Sequence, residues 1–196
     1  MRCLLLISLA TLCLASASPV QPQNRIIAQF FEYFDTLRGI QFDNMLTITV
    51  NFVQAVVDNV PAEERGRASA ALQAYVNRGR ELRQRGSAQE KFEHVQSLQE
   101  AFTNVQGLLI PSSPEANMIG MSMLGLFVVA HEFAEDDEKL HKRFVEGATQ
   151  MKAKLTPATI AREIELFGVI DELINANKFI ENEPLIERFL NFKNRY

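Results

Sequence analysis

Along most of this chain, apolar residues recur at the three-to-four-residue spacing of an amphipathic helix. Ile26, Ile27, Phe30, Phe31, Phe34 and Leu37 form the first such set, with Asn24 placed to cap it and Gly39 to end it. Pro61 opens a second helical region. Glu63 and Glu64 fall where negative charge suits a helix N-terminus, and Ala68, Leu72, Tyr75, Val76 and Leu82 share one face up to Gly86. Ser87 and Glu90 then make a Ser-x-x-Glu capping box ahead of a face of Phe92, Val95, Gln99, Phe102 and Val105. So short a break between two helices sets them antiparallel. Beyond the IPSSPE break, Ser113 and Pro114 begin a helix, and another carries Leu140, Phe144, Ala148 and Met151. Thr156 and Pro157 open one with Ile160, Ile164, Phe167 and Ile174 on a face, and Pro184 starts a last short one ending in Phe189, Leu190 and Phe192.

One segment carries two periods at once. Leu46, Ile48, Val50 and Phe52 alternate with Thr47, Thr49 and Asn51 as in a strand, whereas Met45, Phe52, Val53, Val56, Val57 and Val60 fit a helix face. A lone strand would leave its backbone groups unpaired, and no convincing second strand is present, so 46–52 is read as helix with strand as the alternative. The fold class expected is all-α: a single-domain bundle of about seven to eight helices around a central apolar helix, without disulfides. The IPSSPE break divides the chain into halves of similar size, but no long linker separates them.

The central helix is the run ANMIGMSMLGLFVVAHEFAED, Ala116 to Asp136. Only thirteen residues, Met118 to Ala130, precede His131 and Glu132, short of the ~20 that a membrane span needs. Every side of it is apolar or small, so it is expected to be surrounded by other helices. Gly120, Ser122 and Gly125 permit close approach, and the methionines adapt to irregular surroundings. Two readings remain open. The run fills the centre of the core, or Met118, Met121, Met123, Leu124 and Phe127 line an internal cavity for a small apolar ligand such as a fatty acid. In the second case an arginine from the Arg-rich stretch Arg65 to Arg85 could hold a carboxylate head group; otherwise those arginines are a solvated face.

The N-terminus sets the compartment. Arg2, the apolar LLLISLATLCLA and the small residues ASAS have the layout of a secretory signal peptide over 1–17, followed by a leader over 18–24 and a helical domain over 25–196. Secretion is the localisation expected. Both cysteines, Cys3 and Cys13, lie in that signal segment, so stability must come from packing. Cleavage moves the formal charge from −4 to −5 by loss of Arg2, a mild acidity that argues against nucleic acid as partner. No Asn is followed two places on by Ser or Thr, so the N-glycosylation acceptor is absent.

Chemistry-bearing motifs are few. The three histidines include His131, four residues before Glu135, and His141, three after Glu138, a Glu-x-x-His pair of the kind found in di-metal bundles. The second such motif is missing because Lys91 stands where His94 would need a glutamate, so an acidic solvated turn is the reading preferred and no metal or cofactor is expected. With no cysteine nucleophile, Gly-x-Ser-x-Gly elbow, phosphate loop or His-Glu-x-x-His, the protein is expected not to be an enzyme. The leading expectation is a secreted helical protein holding an apolar ligand. The alternative is a helical module acting through protein contacts, including a homo-oligomer, with exposed aromatics such as Tyr33, Tyr75 or Tyr196 contributing. In signal peptide, length, helicity and absence of disulfides the type resembles the small secreted all-helical lipid carriers of invertebrates, such as the nematode fatty-acid- and retinol-binding proteins. No motif is matched and no site residue carries over.

Overall fold

A computed structural model describes residues 20–176 and 178–196. Nine α-helical segments run through them: α1 (Val20–Asp58), α2 (Arg67–Arg85), α3 (Ala88–Gln96), α4 (Leu98–Gln106), α5 (Pro114–Ser122), α6 (Leu126–Lys154), α7 (Pro157–Arg162), α8 (Ile164–Asn175) and α9 (Glu183–Leu190). Only Ser97 separates α3 from α4 and only Glu163 separates α7 from α8, so joining each pair leaves seven helices. The chain is an all-α bundle, with no strand among the described residues. Both cysteines, and with them the expected signal peptide, lie outside those residues.

Several boundaries differ from the sequence expectation. α1 begins at Val20 rather than residue 25, with Pro22 in its first turn, where the missing amide costs nothing. It does not stop at Gly39 but continues to Asp58. The strand-like 46–52 is therefore helix, and the threonines fit because each hydroxyl finds a carbonyl one turn back: Thr47 donates to Asp43 O at 2.8 Å and Thr49 to Met45 O at 2.8 Å. Pro61 opens only a 3₁₀ turn, Ala62–Glu64, and α2 starts after Gly66. The expected helices at 114 and 140 are nearly one, because α5 and α6 are joined through a single 3₁₀ turn, Met123–Gly125.

The chain packs as two compact units, the first being the described part of Met1–Phe34 with Arg143–Tyr196, the second Asp35–Lys142. The division falls inside α1 and α6 rather than at IPSSPE. The core of the first unit is aromatic. Phe144 stands 5.4 Å from Phe30, 5.3 Å from Phe34, 5.2 Å from Phe179 and 5.7 Å from Phe189 between ring centroids, mostly edge to face, the arrangement that ring quadrupoles favour. Helices α7 and α8 change register at Glu163, which buries Leu166, Phe167, Val169, Ile170 and Leu173 and leaves Ile164, expected on the same face as Phe167, exposed.

The second unit is aliphatic, built on Leu46, Val53, Val56, Val57, Leu72, Val76, Val105 and Ile119. Gly79 lets α2 approach α1: a Cβ there would lie 2.4 Å from Val50 Cγ2. Gly79→Ala is therefore expected to lower stability by roughly 1–3 kcal/mol through overpacking, measured as a lower urea midpoint. An unchanged midpoint would mean that Val50 moves aside freely. Glu115, on α5, is buried and accepts from the Gly66 amide at 2.7 Å and the Ser69 amide at 2.8 Å, so it caps α2 from a different helix.

The apolar run expected at the centre lies at the surface instead. Only Ile119 and Val129 are buried over Met118 to Ala130, while Met121, Leu124, Phe127 and Val128 are exposed. The second unit's core is complete with one side of this helix, and no other described helix of that unit covers the rest. All-round apolarity was thus a poor guide to burial here, because the number of neighbours a helix finds is set by the whole chain.

Candidate functional site

The five residues expected to line an internal cavity are placed by α5, the 3₁₀ turn and α6. Met118 is 40% exposed, Met121 71%, Leu124 70% and Phe127 78%. Met123 alone among them packs against the core of the second unit. Side chains this open enclose nothing, so an internal cavity formed by these five is excluded and the apolar residues make a surface stripe, extended by Val128 at 59%. The continuous helix Pro114–Lys154 contains an 18-residue window of mean hydropathy 1.3, of which 11% is buried, enough by length and composition to cross a membrane. A span that stops at His131 and Glu132 falls short of this length, whereas the longer stretch tolerates those polar residues within a still apolar average.

Beside the stripe lies an open cleft of about 580 Å³ within the second unit, between α1 and α6. Ile48, Phe52, Gly125, Val128 and Val129 form its apolar part, and Asn44, Glu132, Glu135, Asp136 and Lys139 its polar part. Gly125 sets its shape, since a Cβ at that position would stand 2.8 Å from the Phe52 ring. Asn44 donates to Asp136 at 2.9 Å, and Gln41 to the buried Asp137 at 3.2 Å, which ties α1 to α6 behind the cleft. No arginine from Arg65 to Arg85 lines it. They are exposed, and Arg78 pairs with Glu81 at 3.2 Å while Arg80 donates to Gln54 at 2.9 Å. The cleft therefore has three carboxylates against one ammonium, the opposite of a carboxylate-binding mouth.

His131 and Glu135 do share a helix face, with Nε2 3.3 Å from Oε1, and Lys139 lies 3.7 Å from the same carboxylate. These are exposed pairs of one helix. Among the described residues no three His, Cys, Asp or Glu are grouped to hold a metal ion.

The third histidine is the one with an unusual environment, which its position in a helix pattern did not signal. His94 stacks on Tyr75 with ring centroids 4.0 Å apart, and the Tyr75 hydroxyl donates to His94 O at 2.7 Å. Its Nε2 has no hydrogen-bond partner. Burial lowers the imidazole below its ordinary value of 6.5, a hydrogen bond with the Tyr75 backbone works in the other direction, and Arg78 adds to the lowering. The folded chain thus binds this proton more weakly than the unfolded one, so the stability is present in full above about pH 6.5 and is lost as pH falls toward the folded value. Melting temperature is expected to fall between about pH 7 and pH 5, and His94→Gln to flatten that slope. A wild-type melting temperature constant across the window would contradict it.

Comparison of the chain with protein-family models, with curated proteins and with solved structures returned no match.

Proposed function

We propose that the protein is a secreted, non-enzymatic binding module that acts through the exposed apolar stripe of α5 and α6, with a protein surface as its partner. The observation that carries this is the exposure of Met121, Leu124, Phe127 and Val128 on consecutive turns of one helix. Contiguous apolar surface of this kind marks an interaction site more often than it survives uncovered, and helices present such anchors at these intervals. The layout of residues 1–17 supports secretion.

A second reading keeps a small molecule as ligand and moves it from an internal cavity to the open cleft. The apolar part at Ile48, Phe52 and Val129 next to the carboxylates of Glu132, Glu135 and Asp136 favours an amphiphile with a cationic head.

Fluorescence of bis-ANS at low protein concentration tests the principal reading. The wild type is expected to enhance it, and Leu124→Glu with Phe127→Glu to lose most of the signal while keeping its helical circular dichroism. No enhancement by the wild type at any concentration, with no self-association either, would sink the interaction reading. Dodecyltrimethylammonium and dodecanoate as competitors address the cleft, where the cationic amphiphile is expected to displace the probe at the lower concentration.

A further inference from the structure

Resting on the reading of the stripe as a protein-binding face, we infer that its partner is a cationic amphipathic helix, laid along the stripe and over the cleft between α1 and α6, with lysine or arginine at both ends of its apolar face. The charges around the stripe carry this. Met118, Met121, Leu124 and Val128 follow one another at three- to four-residue intervals, and the same line runs on to Glu132 and Glu135. At that end Glu132, Glu135, Asp136 and Glu138 stand against Lys139 and Lys142. At the other end Asn59 donates to Ser122 at 3.1 Å and Glu115 accepts from the Gly66 amide at 2.7 Å, so the intervening turn Ala62–Glu64 is held near α5. There Arg65 is engaged by Val60 O at 2.9 Å and by Asp58 at 3.8 Å, which leaves the exposed Glu63 and Glu64 against Arg67. The stripe is thus apolar in the middle with an excess of acid at each end.

That pattern selects among occupants. A second copy of the chain would set acid against acid whether it ran parallel or antiparallel, and an anionic lipid surface would be repelled by both ends. A helix with basic ends meets opposite charge at each, and the formal charge of −4 on the whole chain draws it in the same sense. Glu63, Glu64 and Glu132 are exposed and in no ion pair among the described residues, so they are free to receive it. Glu135 shares its charge with His131 and Lys139 on its own helix and contributes less. The shape agrees with the charge. Met118 to Glu132 spans about 20 Å of helix, or four turns of a partner, and Gly125 leaves room over the Phe52 ring for an apolar side chain to enter beside Ile48 and Val129.

Titration calorimetry of the full chain with a peptide of about 18 residues, leucine and lysine patterned as an amphipathic helix, tests this, with glutamate and glutamine versions of the peptide as comparisons. The lysine peptide is expected to bind tightest and the glutamate peptide not to bind, with the difference shrinking as sodium chloride is raised. Leu124→Gln with Phe127→Gln is expected to weaken the lysine peptide about tenfold or more. Glu132→Lys, and Glu63→Lys with Glu64→Lys, are each expected to weaken it about three- to tenfold, while Glu93→Lys on α3, which lines no part of the cleft, leaves it unchanged. Equal binding of the three peptides, or lysine-peptide binding indifferent to the Leu124 and Phe127 changes or lowered as much by Glu93→Lys, would overturn the proposal. A chain that enhances bis-ANS yet ignores all three peptides would overturn the cationic helix and leave the protein-binding reading standing, with a dimer in sedimentation equilibrium identifying a second copy instead. Flotation with phosphatidylcholine vesicles and no peptide binding would overturn both in favour of a lipid surface, and a chain with none of these properties would remove the interaction reading as well.

Discussion

Phe144→Ala is expected to cost the first unit about 3–5 kcal/mol, the range for truncating a buried phenylalanine. The ring is fully buried and touches four others, on α1, on α9 and at Phe179. Those neighbours come from separate segments and cannot collapse together into the space, so the residual cavity adds to the lost transfer free energy. Phe127→Ala provides the contrast. That ring is mostly in water, so its removal in the monomer should change stability by no more than about 0.5 kcal/mol. Urea unfolding of the two variants separates them, and equal losses would mean that Phe127 is packed rather than exposed.

Glu115→Ala is expected to cost the second unit about 2–4 kcal/mol, because two amides at the start of α2 lose a charged acceptor in a buried place. Burial alone would raise this carboxyl, but hydrogen bonds from Ser69 and from the Gly66 amide outweigh it and hold the group below its ordinary value of 4.5. A carboxyl lowered in the folded state stabilises above the unfolded value, and that contribution disappears as pH falls through the folded one. The loss from Glu115→Ala should therefore be full at neutral pH and shrink in acid below about pH 4.5. Glu115→Gln keeps an acceptor oxygen without the charge and should fall between alanine and wild type. A cost for alanine that persists undiminished at low pH would assign the effect to packing.

The parts of the fold legible in the sequence were those written in local chemistry. The capping box of Ser87 and Glu90, the Ser113 cap with Pro114 and the Thr156 cap with Pro157 all form where their residue types placed them. Ile27, Phe30, Phe31, Phe34 and Leu37 are buried as their spacing implied. Glycine misled at position 39, because it sits half-buried in a helix interior, with nothing within 4 Å of a Cβ there, rather than at an end. Tertiary features had no local trace. Glu115 lies far along the chain from the amides it caps, and its sequence neighbours show only a first-turn acid of its own helix. The register change at Glu163 needs Leu166 and Ile170 to win the core over Ile164, a contest among residues of similar hydrophobicity. The apolar stripe was legible as apolar, but its placement depended on how many helices were left to cover it.

That placement is tested most directly by thiol labelling. With Cys3 and Cys13 changed to serine, Phe127→Cys and Ile119→Cys each carry one thiol, the first at an exposed and the second at a buried position of the same helical stretch. At concentrations below self-association, the thiol at 127 is expected to react with a maleimide at nearly the rate of the unfolded chain, and the one at 119 only as the protein opens. Equal, slow labelling at both positions would contradict the exposed stripe and return Phe127 to a buried core.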